Sequence, residues 1–234
     1  MLNETLVKKF NQYFRVELVT TDKHYEDMFK LRHDVYIEEF KYQDEKEFSN
    51  GLEKDEFDDI STACVIYHIA TGKPAACVRL IPGKKCDYLP IEKYMIDILD
   101  NDVIKGLNKN RSSLAEVSRL AVSREFRRRG KEALSPVGYH DENEEITYPL
   151  LSVACFLSCI IISDIIDTEQ YIAAMDPFLP RLLKYQNLNF EKISEPASYH
   201  GQRCAYLIHK RDALNNISSV TMDFMLTLHR ELMS

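Results

Sequence analysis

The order of elements along the sequence predicts an α+β protein, a mixed α/β sandwich in which helices flank both faces of a central mixed sheet. Two strand-like stretches joined by a tight turn come early in the chain. A helix–strand–helix–strand succession follows in the second half, and it begins with the strongly apolar stretch 150–166. Strands that come first and then alternate with helices favour one sheet covered on two sides.

The first half contains the expected hairpin, because the turn Ala-Thr-Gly-Lys separates two β-branched and apolar runs. Between helix and hairpin, residues 41–61 carry eight acidic and three basic side chains, which favours a solvated loop. The expected elements are, in order, a strand at 14–19, a helix at 24–39, the acidic segment at 41–61, strands at 62–69 and 74–81, a mixed helical region at 90–107 and a strand at 115–122.

The second half is dominated by the apolar stretch 150–166, in which three serines and Asp164 interrupt the hydrophobic residues. Its length and polarity favour a buried helix over a membrane span. The expected elements are a poorly patterned loop at 134–148, the apolar helix at 150–166, a strand at 171–175, a helix at 177–186, a strand at 203–209 and an amphipathic helix at 216–232. We expect a single domain, 1–234, with a core at about 14–209 and a C-terminal helical appendage at about 212–234.

Composition excludes several functional classes. The net charge of −7 argues against general nucleic-acid binding. The six cysteines form no CxxC pair and have no metal-ligand spacing with histidine, so we expect neither a metal site nor disulfides. The sequence has no pattern typical of a signal peptide and no expected integral membrane segment, which predicts a cytoplasmic protein.

Three arginines fall in apolar surroundings, where an unpaired ion is very costly. Three carboxylates in nearby motifs balance them. We predict that Arg32, Arg79 and Arg119 make ion pairs with Asp55, Asp58 or Glu116 at the mouth of one pocket.

Four segments carry these charges: Leu-Arg-His-Asp-Val-Tyr (31–36), Asp-Glu-Phe-Asp (55–58), Val-Arg-Leu (78–80) and Glu-Val-Ser-Arg (116–119). In order and spacing they resemble the acyl-homoserine-lactone synthases and the long-chain N-acyl amino acid synthases, including the exosortase-associated (PEP-CTERM) acyltransferases. The resemblance runs from about residue 14 to about 209. It implies the GCN5-related N-acetyltransferase fold, in which a bulge splays the central sheet, with an extra C-terminal helix here.

The resemblance also implies roles for these residues. The six charged side chains would shape the acceptor pocket, with Tyr36 as an aromatic wall; the alternative is that they only clamp the 41–61 segment to the body. Strict alternation would put Glu116 and Arg119 on opposite faces of their strand, whereas a β-bulge would return both to one face. Both arrangements stay open. Backbone groups of Leu120, Ala121 and Val122 would bond a pantetheine arm.

A basic turn, Arg124–Lys131, follows this strand at the place where the resembled fold cradles the pyrophosphate of an acyl carrier. Arg127 and Gly130 match the residues of that cradle in the resembled fold, but Glu132 occupies its last position, where the fold has a small residue, Gly or Ala. The departure weakens the case for tight coenzyme A binding and favours an acidic acyl carrier protein, docked by Arg127, Arg128, Arg129 and Lys131. The alternative is a solvated basic turn.

Three residues are candidates for the chemistry of acyl transfer. Glu116 is the candidate general base, with a structural partner of Arg119 as the alternative. Tyr185 lies where many acetyltransferases carry a tyrosine acid, and His200 lies in a segment, Tyr199–Arg203, that resembles the exosortase-associated group. A packing role is the alternative for each. Lactone synthases have tryptophan where this chain has Tyr42, and this chain has no tryptophan.

The sequence therefore predicts an enzyme, an N-acyltransferase that moves a fatty acyl group to the amine of a small amino acid-like acceptor. The donor would be acyl-phosphopantetheine on an acyl carrier protein, or acyl-coenzyme A, as a co-substrate, with no tightly bound cofactor. One alternative is an acyl-homoserine-lactone synthase using S-adenosylmethionine. Another, from a different class, is a non-catalytic acyl-thioester binding module.

Overall fold

A computed structural model describes residues 2–127 and 142–233, and these residues form one mixed sheet flanked by helices. The order across the sheet is β1-β2-β3-β4-β5-β8-β6, and β7 pairs with β8. Only β4 and β5 pair in parallel among the strand pairs described. The strands are β1 (Phe14–Leu18), β2 (Thr62–His68), β3 (Pro74–Pro82), β4 (Leu114–Val122), β5 (Gln170–Met175), β6 (Glu191–Lys192), β7 (Ala197–Ser198) and β8 (Gln202–His209).

The helices include two that the sequence patterns did not predict, at 4–13 and 210–216. The expected helix at 24–39 is an α-helix that continues into a π-helical segment, His33–Glu39. The α-helices are α1 (Glu4–Tyr13), α2 (Asp22–Arg32), α3 (Pro90–Met95), α4 (Asn101–Lys109), α5 (Glu142–Glu145), α6 (Pro149–Ile166), α7 (Leu179–Lys184), α8 (Lys210–Asn216) and α9 (Ser219–Leu232).

Side-chain caps fix where several helices begin. Asn3, Thr21 and Ser218 accept hydrogen bonds from backbone N–H groups in the first turns of α1, α2 and α9. Pro149 opens α6, where its missing N–H costs nothing, and Asp167 ends it in a left-handed conformation with φ of 55°. These local signals account for the element boundaries that lie close to those predicted.

The apolar helix α6 packs on one face of the sheet together with α1 and α9. It is long and apolar enough to cross a membrane, but 78% of its apolar window is buried within the fold, so it is a core helix. Phe224 of α9 meets Phe10 of α1 edge-to-face, with ring centroids 5.0 Å apart. Because Phe224, Leu228 and Leu232 are buried in this core, α9 belongs to the body of the domain rather than forming an appendage.

The other face of the sheet is covered by α2 and part of the acidic segment. Met28 and Leu31 of α2 pack with Val35 against Val65 and Tyr67 of β2. The same segment places Arg32 next to the carboxylates of residues 53–58. Residues 53–58 are therefore tied to the sheet, so the expected solvated loop does not describe this part of the acidic segment.

An irregularity in β4 opens the sheet. Arg79 pairs with Ser118 and Cys77 with Ala121, so two residues, Arg119 and Leu120, stand opposite Val78 alone. Arg119 has φ of 52°, a conformation that strands rarely contain. This is a β-bulge, and the bulge that was expected to splay the sheet is therefore present in β4.

The parallel pairing of β4 and β5 is short. It joins Leu114–Glu116 to Gln170–Ile172 and ends there, although both strands continue. Beyond Glu116 the two strands diverge, and their facing backbone edges are no longer paired with each other. The opening between them is where the candidate site lies.

Candidate active site

A cavity of about 420 Å³ occupies the opening between β4 and β5. One wall is β4 from Glu116 to Val122, and the opposite wall is the end of β5 with the start of α7. Aromatic residues from the π-helical segment and from Tyr199-His200 form the rim. The cavity thus combines buried strand edges, an apolar interior and a polar mouth, as small-molecule sites commonly do.

Glu116 is the one carboxylate of the predicted six that lines this cavity. It is buried, and its Oε2 accepts a hydrogen bond of 2.9 Å from the backbone N–H of Ile91. Burial raises the pKa of Glu116 to about 8, against the weaker opposing effects of the Ile91 hydrogen bond, Arg79 and Arg119. A carboxyl that titrates near neutral pH is suited to exchanging protons with a substrate.

The bulge brings Arg119 to the same face of β4 as Glu116. Along β4, Ala115, Val117, Leu120 and Val122 pack towards the α6 core. Glu116, Ser118 and Arg119 face the other way: Ser118 accepts a hydrogen bond from Arg79, and Arg119 contacts the acidic segment. Of the two arrangements left open by the sequence, the structure has the bulged one.

The three arginines form one buried ion-pair network beneath the cavity. Arg32 donates to Asp58 at 2.6 Å, Arg79 to Asp55 and Asp58 at 2.5 and 2.8 Å, and Arg119 contacts Asp55 at 3.0 Å. Burial alone would raise the pKa of Asp55, but the arginines, chiefly Arg79, outweigh it and hold that pKa well below its usual range. Asp55 and Asp58 are therefore charged, and their ion pairs with the arginines hold the segment around them in place.

Of the three carboxylates predicted as possible partners, Asp55 and Asp58 pair with the arginines in the described structure and Glu116 does not. Glu116 makes no ion pair in the described structure, and Glu53 takes its place, bonding Arg32 through Oε2 and Arg119 through Oε1. Glu53 is fully buried, and the sequence analysis missed it. It lies among the eight acidic residues of the 41–61 segment, and no local pattern distinguishes it from its exposed neighbours.

Tyr36 lies at the rim of the cavity, beside the part of β4 whose backbone is expected to bond the pantetheine arm. Its hydroxyl donates a hydrogen bond of 2.7 Å to the backbone carbonyl of Leu120, and Arg119 lies over its ring at 5.8 Å from the centroid. The Leu120 carbonyl therefore already has a partner. Leu120 and Val122 line the cavity, whereas the Ala121 side chain packs on the α2 side.

The rim continues as a row of aromatic rings. Phe40 and Tyr42 stack at 5.1 Å between centroids, Tyr42 meets His200 at 5.3 Å, and His200 meets Tyr199 at 4.3 Å. Burial lowers the pKa of His200, and Arg119 and Arg203 lower it further. His200 therefore lines the cavity as a neutral ring near neutral pH.

The basic turn is described only in part. Arg127 lines the cavity, forms an ion pair with Glu39 and lies 4.9 Å from the centroid of the Phe40 ring. Burial lowers the pKa of Arg127. Arg128, Arg129, Gly130 and Lys131 lie outside the described residues.

Tyr185 is not in the cavity. Its surface is 71% exposed, because α7 ends at Lys184 and Leu182 of the preceding turn faces the site instead. The expectation of a tyrosine acid at this position is thus not supported by its placement. Tyr199 is the tyrosine that lies near Glu116 and Arg119, and burial raises its pKa. From the sequence, Tyr199 belongs to the Tyr199–Arg203 segment that resembles the exosortase-associated group, but only its neighbour His200 was a candidate for the chemistry.

Comparison with known proteins agrees with this geometry. Residues 31–135, a little under half of the chain, match the family model described as the acetyltransferase (GNAT) domain. No curated protein matches the chain.

Solved structures with the same fold include three synthases. FeeM, an N-acyl amino acid synthase from uncultured soil microbes, is 12% identical with a TM-score of 0.59, covering 89% of this chain and 97% of FeeM. BjaI, a CoA-dependent acyl-homoserine lactone synthase solved with SAM and isopentyl-CoA, is 16% identical with a TM-score of 0.58, covering 94% and 91%. The AHL synthase LasI is 13% identical with a TM-score of 0.57, covering 88% and 97%. At these identities the likeness establishes a shared fold, and the resemblance predicted from the four charged segments is confirmed at that level.

Proposed function

We propose that this chain, whose fold is that of the GNAT acyltransferases, is an N-acyltransferase that joins a fatty acyl group to the amine of an amino acid-like acceptor. The donor is an acyl-phosphopantetheine thioester, carried by an acyl carrier protein or by coenzyme A, and the reaction takes place in the cytoplasm. The observation that carries this proposal is Glu116, a buried carboxyl with a pKa near 8 that faces the opening between β4 and β5.

The opening suits the donor thioester. Beyond Glu116 the facing edges of β4 and β5 are unpaired with each other, and a pantetheine arm can supply the missing hydrogen bonds. The apolar interior, formed by residues such as Phe156, Met175 and Leu182, suits the acyl chain. In this arrangement the thioester carbonyl sits close to Glu116, while Arg127 lies towards the carrier end.

Glu116 acts on the acceptor amine. The neutral amine nitrogen attacks the thioester carbonyl and forms the C–N bond, and Glu116, as a carboxylate, takes the proton that the nitrogen loses. When the tetrahedral intermediate collapses, the C–S bond breaks and Glu116 returns the proton to the departing sulfur, directly or through water. One group serves as base and then acid, and no covalent acyl-enzyme forms.

The ion-pair network positions the acceptor wall. Arg119 is adjacent to Glu116 and is held by Glu53 and Asp55, which in turn fix Arg32 and Arg79. The cavity lining includes Tyr36 and Arg119 but not Arg32, Arg79, Asp55 or Asp58. These four residues therefore affect substrate binding indirectly, through Arg119 and Tyr36. This two-tier arrangement supports rigid presentation of the acceptor.

A direct test uses purified protein with dodecanoyl-coenzyme A and dodecanoyl carrier protein as donors and a panel of common amino acids as acceptors. Mass spectrometry should detect N-dodecanoyl amino acids together with released thiol. In a parallel mixture with S-adenosylmethionine as the acceptor, a lactone product would instead establish the lactone synthase. Tight donor binding without thiol release in any mixture would favour the non-catalytic binding module and overturn the proposal.

A further inference from the structure

A third arginine, after Arg119 and Arg127, faces the cavity. Arg203 belongs to β8, is half-buried, and lines the cavity beside His200. Its Nε donates a hydrogen bond of 3.2 Å to the backbone carbonyl of His200, and its guanidinium lies 5.8 Å from the centroid of the Tyr42 ring. One edge of the guanidinium is therefore tethered, while no described residue accepts a hydrogen bond from its two terminal nitrogens.

The charge of Arg203 is uncompensated in the part of the chain that the structure describes. Arg32, Arg79, Arg119 and Arg127 each form ion pairs, whereas no carboxylate lies within 4.0 Å of Arg203. The nearest acidic residue by strand pairing is Asp176, one position past the last paired residue of β5. Its Oδ1 instead accepts from the backbone N–H groups of Phe178 and Leu179, at 2.7 and 3.2 Å, and so caps α7.

Arg203 and Glu116 face the same space. The rings of Tyr199 and His200 line it as well, in contact at 4.3 Å between centroids. Arg119 and Glu116 both shift the pKa of Tyr199, and Arg119 and Arg203 both lower the pKa of His200. A short molecule bound against these two rings can therefore present an amine to Glu116 and an anionic group to Arg203.

We propose that Arg203 binds the carboxylate of the acceptor, so that the enzyme acylates free amino acids and discriminates against their amides and esters. This assignment rests on the proposed function and specifies its acceptor. A guanidinium with two free terminal nitrogens matches a carboxylate in a planar, two-bond geometry, and such charge-assisted bonds are stronger than neutral ones. A neutral His200 beside it adds no competing positive charge.

The other anion available at this site is a phosphate of the donor. Its place is expected beside Arg127, which follows β4 and lies over the Phe40 ring, whereas Arg203 of β8 lies over the next ring of the rim, Tyr42. The acceptor carboxylate is therefore the better match. Kinetics can distinguish the two sources: loss of a bond to the acceptor raises KM for the acceptor, whereas loss of a bond to the donor phosphate raises KM for the donor.

The first test compares free amino acids with their carboxamides as acceptors, in the wild type, in Arg203→Gln and in a control, Arg181→Gln. Arg181 is exposed on α7 and does not line the cavity, so its substitution makes the same charge change nearby. Loss of the charged bonds should raise KM for the free amino acid by about 10- to 100-fold in Arg203→Gln. KM for the carboxamide and for the donor should stay within about threefold.

The second test requires no turnover. Isothermal titration calorimetry of N-dodecanoylglycine and of its carboxamide measures whether the carboxylate itself contributes to binding. We expect the acid to bind about 10- to 100-fold more tightly than the amide to the wild type and to Arg181→Gln, and equally tightly to Arg203→Gln.

Each outcome has one meaning. If no amine is acylated but the acid binds in an Arg203-dependent manner, the carboxylate site stands and the enzymatic function fails. If amines are acylated with no preference for the free acid, or if the preference survives in Arg203→Gln, the assignment of Arg203 is wrong while the function stands. A rise confined to the KM of the donor would assign Arg203 to the donor phosphate and overturn the proposal.

Discussion

The Nε of Arg119 donates a hydrogen bond of 3.0 Å to Oε1 of Glu53, and this bond joins the bulge of β4 to the acidic segment. The other oxygen of Glu53 accepts from Arg32 of α2. One carboxylate thus holds three elements together immediately beneath the cavity. Because Arg119 adopts a positive φ at the bulge, its orientation depends on partners such as Glu53 rather than on regular strand geometry.

Replacing Glu53 should therefore be strongly destabilising. Glu53→Gln keeps the size of the side chain but leaves Arg32 and Arg119 short of a buried counter-charge. Removing one partner from a buried ion pair costs about 3–5 kcal/mol, and urea denaturation should show this loss in the free energy of unfolding. Glu56→Gln is the matched control: Glu56 is exposed and pairs with Lys93 at the surface, where ion pairs contribute little. Equal stability of the two variants would contradict the bridging role.

The sequence was a good guide to the elements and a poor guide to long-range partners. Alternation and helical spacing located β1 to β5, β8, α2, α6 and α9 to within a few residues, because burial on one face imposes those periods. The partners of Glu53 lie 21 and 66 residues away, which no local pattern encodes.

Two other features were decided by small geometric differences. Arginine has no preference for a positive φ, so this conformation of Arg119 follows from the bulge. The bulge itself was expected only from the family resemblance. Tyr185 was expected within a helix at 177–186, at the place where the resembled fold carries a tyrosine acid. The helix ends at Lys184, and Tyr185 turns to solvent.

Glu116→Gln should abolish most of the chemistry while leaving the fold intact. Glutamine keeps an oxygen to accept the Ile91 N–H, and Glu116 has no ion pair to lose in the described structure. Turnover per folded molecule should fall by roughly 10²–10⁴-fold, the usual contribution of a general base. Single-turnover kinetics measures this loss, and Glu116→Asp, which keeps the carboxyl, should recover part of the rate. Near-normal turnover in Glu116→Gln would reject the catalytic role.

The same carboxyl should make stability depend on pH. The pKa of Glu116 is about 8 in the folded protein against an ordinary value of 4.5, so the native state holds a proton that the unfolded state releases between these values. The contribution of Glu116 to stability is therefore fully present below about pH 4.5 and is lost as pH rises towards 8. Urea denaturation from pH 5 to 8.5 should show this decline in the wild type. In Glu116→Gln the decline should be weaker, and an identical pH dependence in the two proteins would contradict the raised pKa.

The basic turn should dock an acidic carrier. Arg127 lines the cavity, so the variant that tests docking alone is Arg128→Ala with Arg129→Ala. It should weaken association with the acyl carrier protein and flatten the dependence of affinity on salt, because exposed charges are screened over roughly 8 Å at physiological ionic strength. The control removes Lys105 and Lys109, two exposed cations of α4. Surface plasmon resonance at two salt concentrations measures both effects, and an unchanged salt slope in the arginine variant would count decisively against docking.

Phe156 should set the length of the acyl chain. Its ring, on α6, lines both the main cavity and a small apolar void lined by residues such as Phe190, Leu188 and Ile208. Phe190 packs edge-to-face on Phe156, with ring centroids 5.3 Å apart. Phe156→Ala joins the two spaces and lets a chain extend further into the core. Each additional methylene buried there contributes about 0.8 kcal/mol, or about fourfold in the specificity constant.

The measurement is kcat/KM across a series of acyl donors from octanoyl to hexadecanoyl. In Phe156→Ala the optimum should move to longer chains, and Phe156→Leu should move it less. Phe190→Ala is the matched control, because it enlarges the void behind Phe156 but leaves the separating ring in place. Thermal unfolding of all three variants checks that each is folded, since truncating a buried phenylalanine costs about 3–5 kcal/mol. If Phe190→Ala shifts the optimum as far as Phe156→Ala, or if neither shifts it, the chain does not end against Phe156.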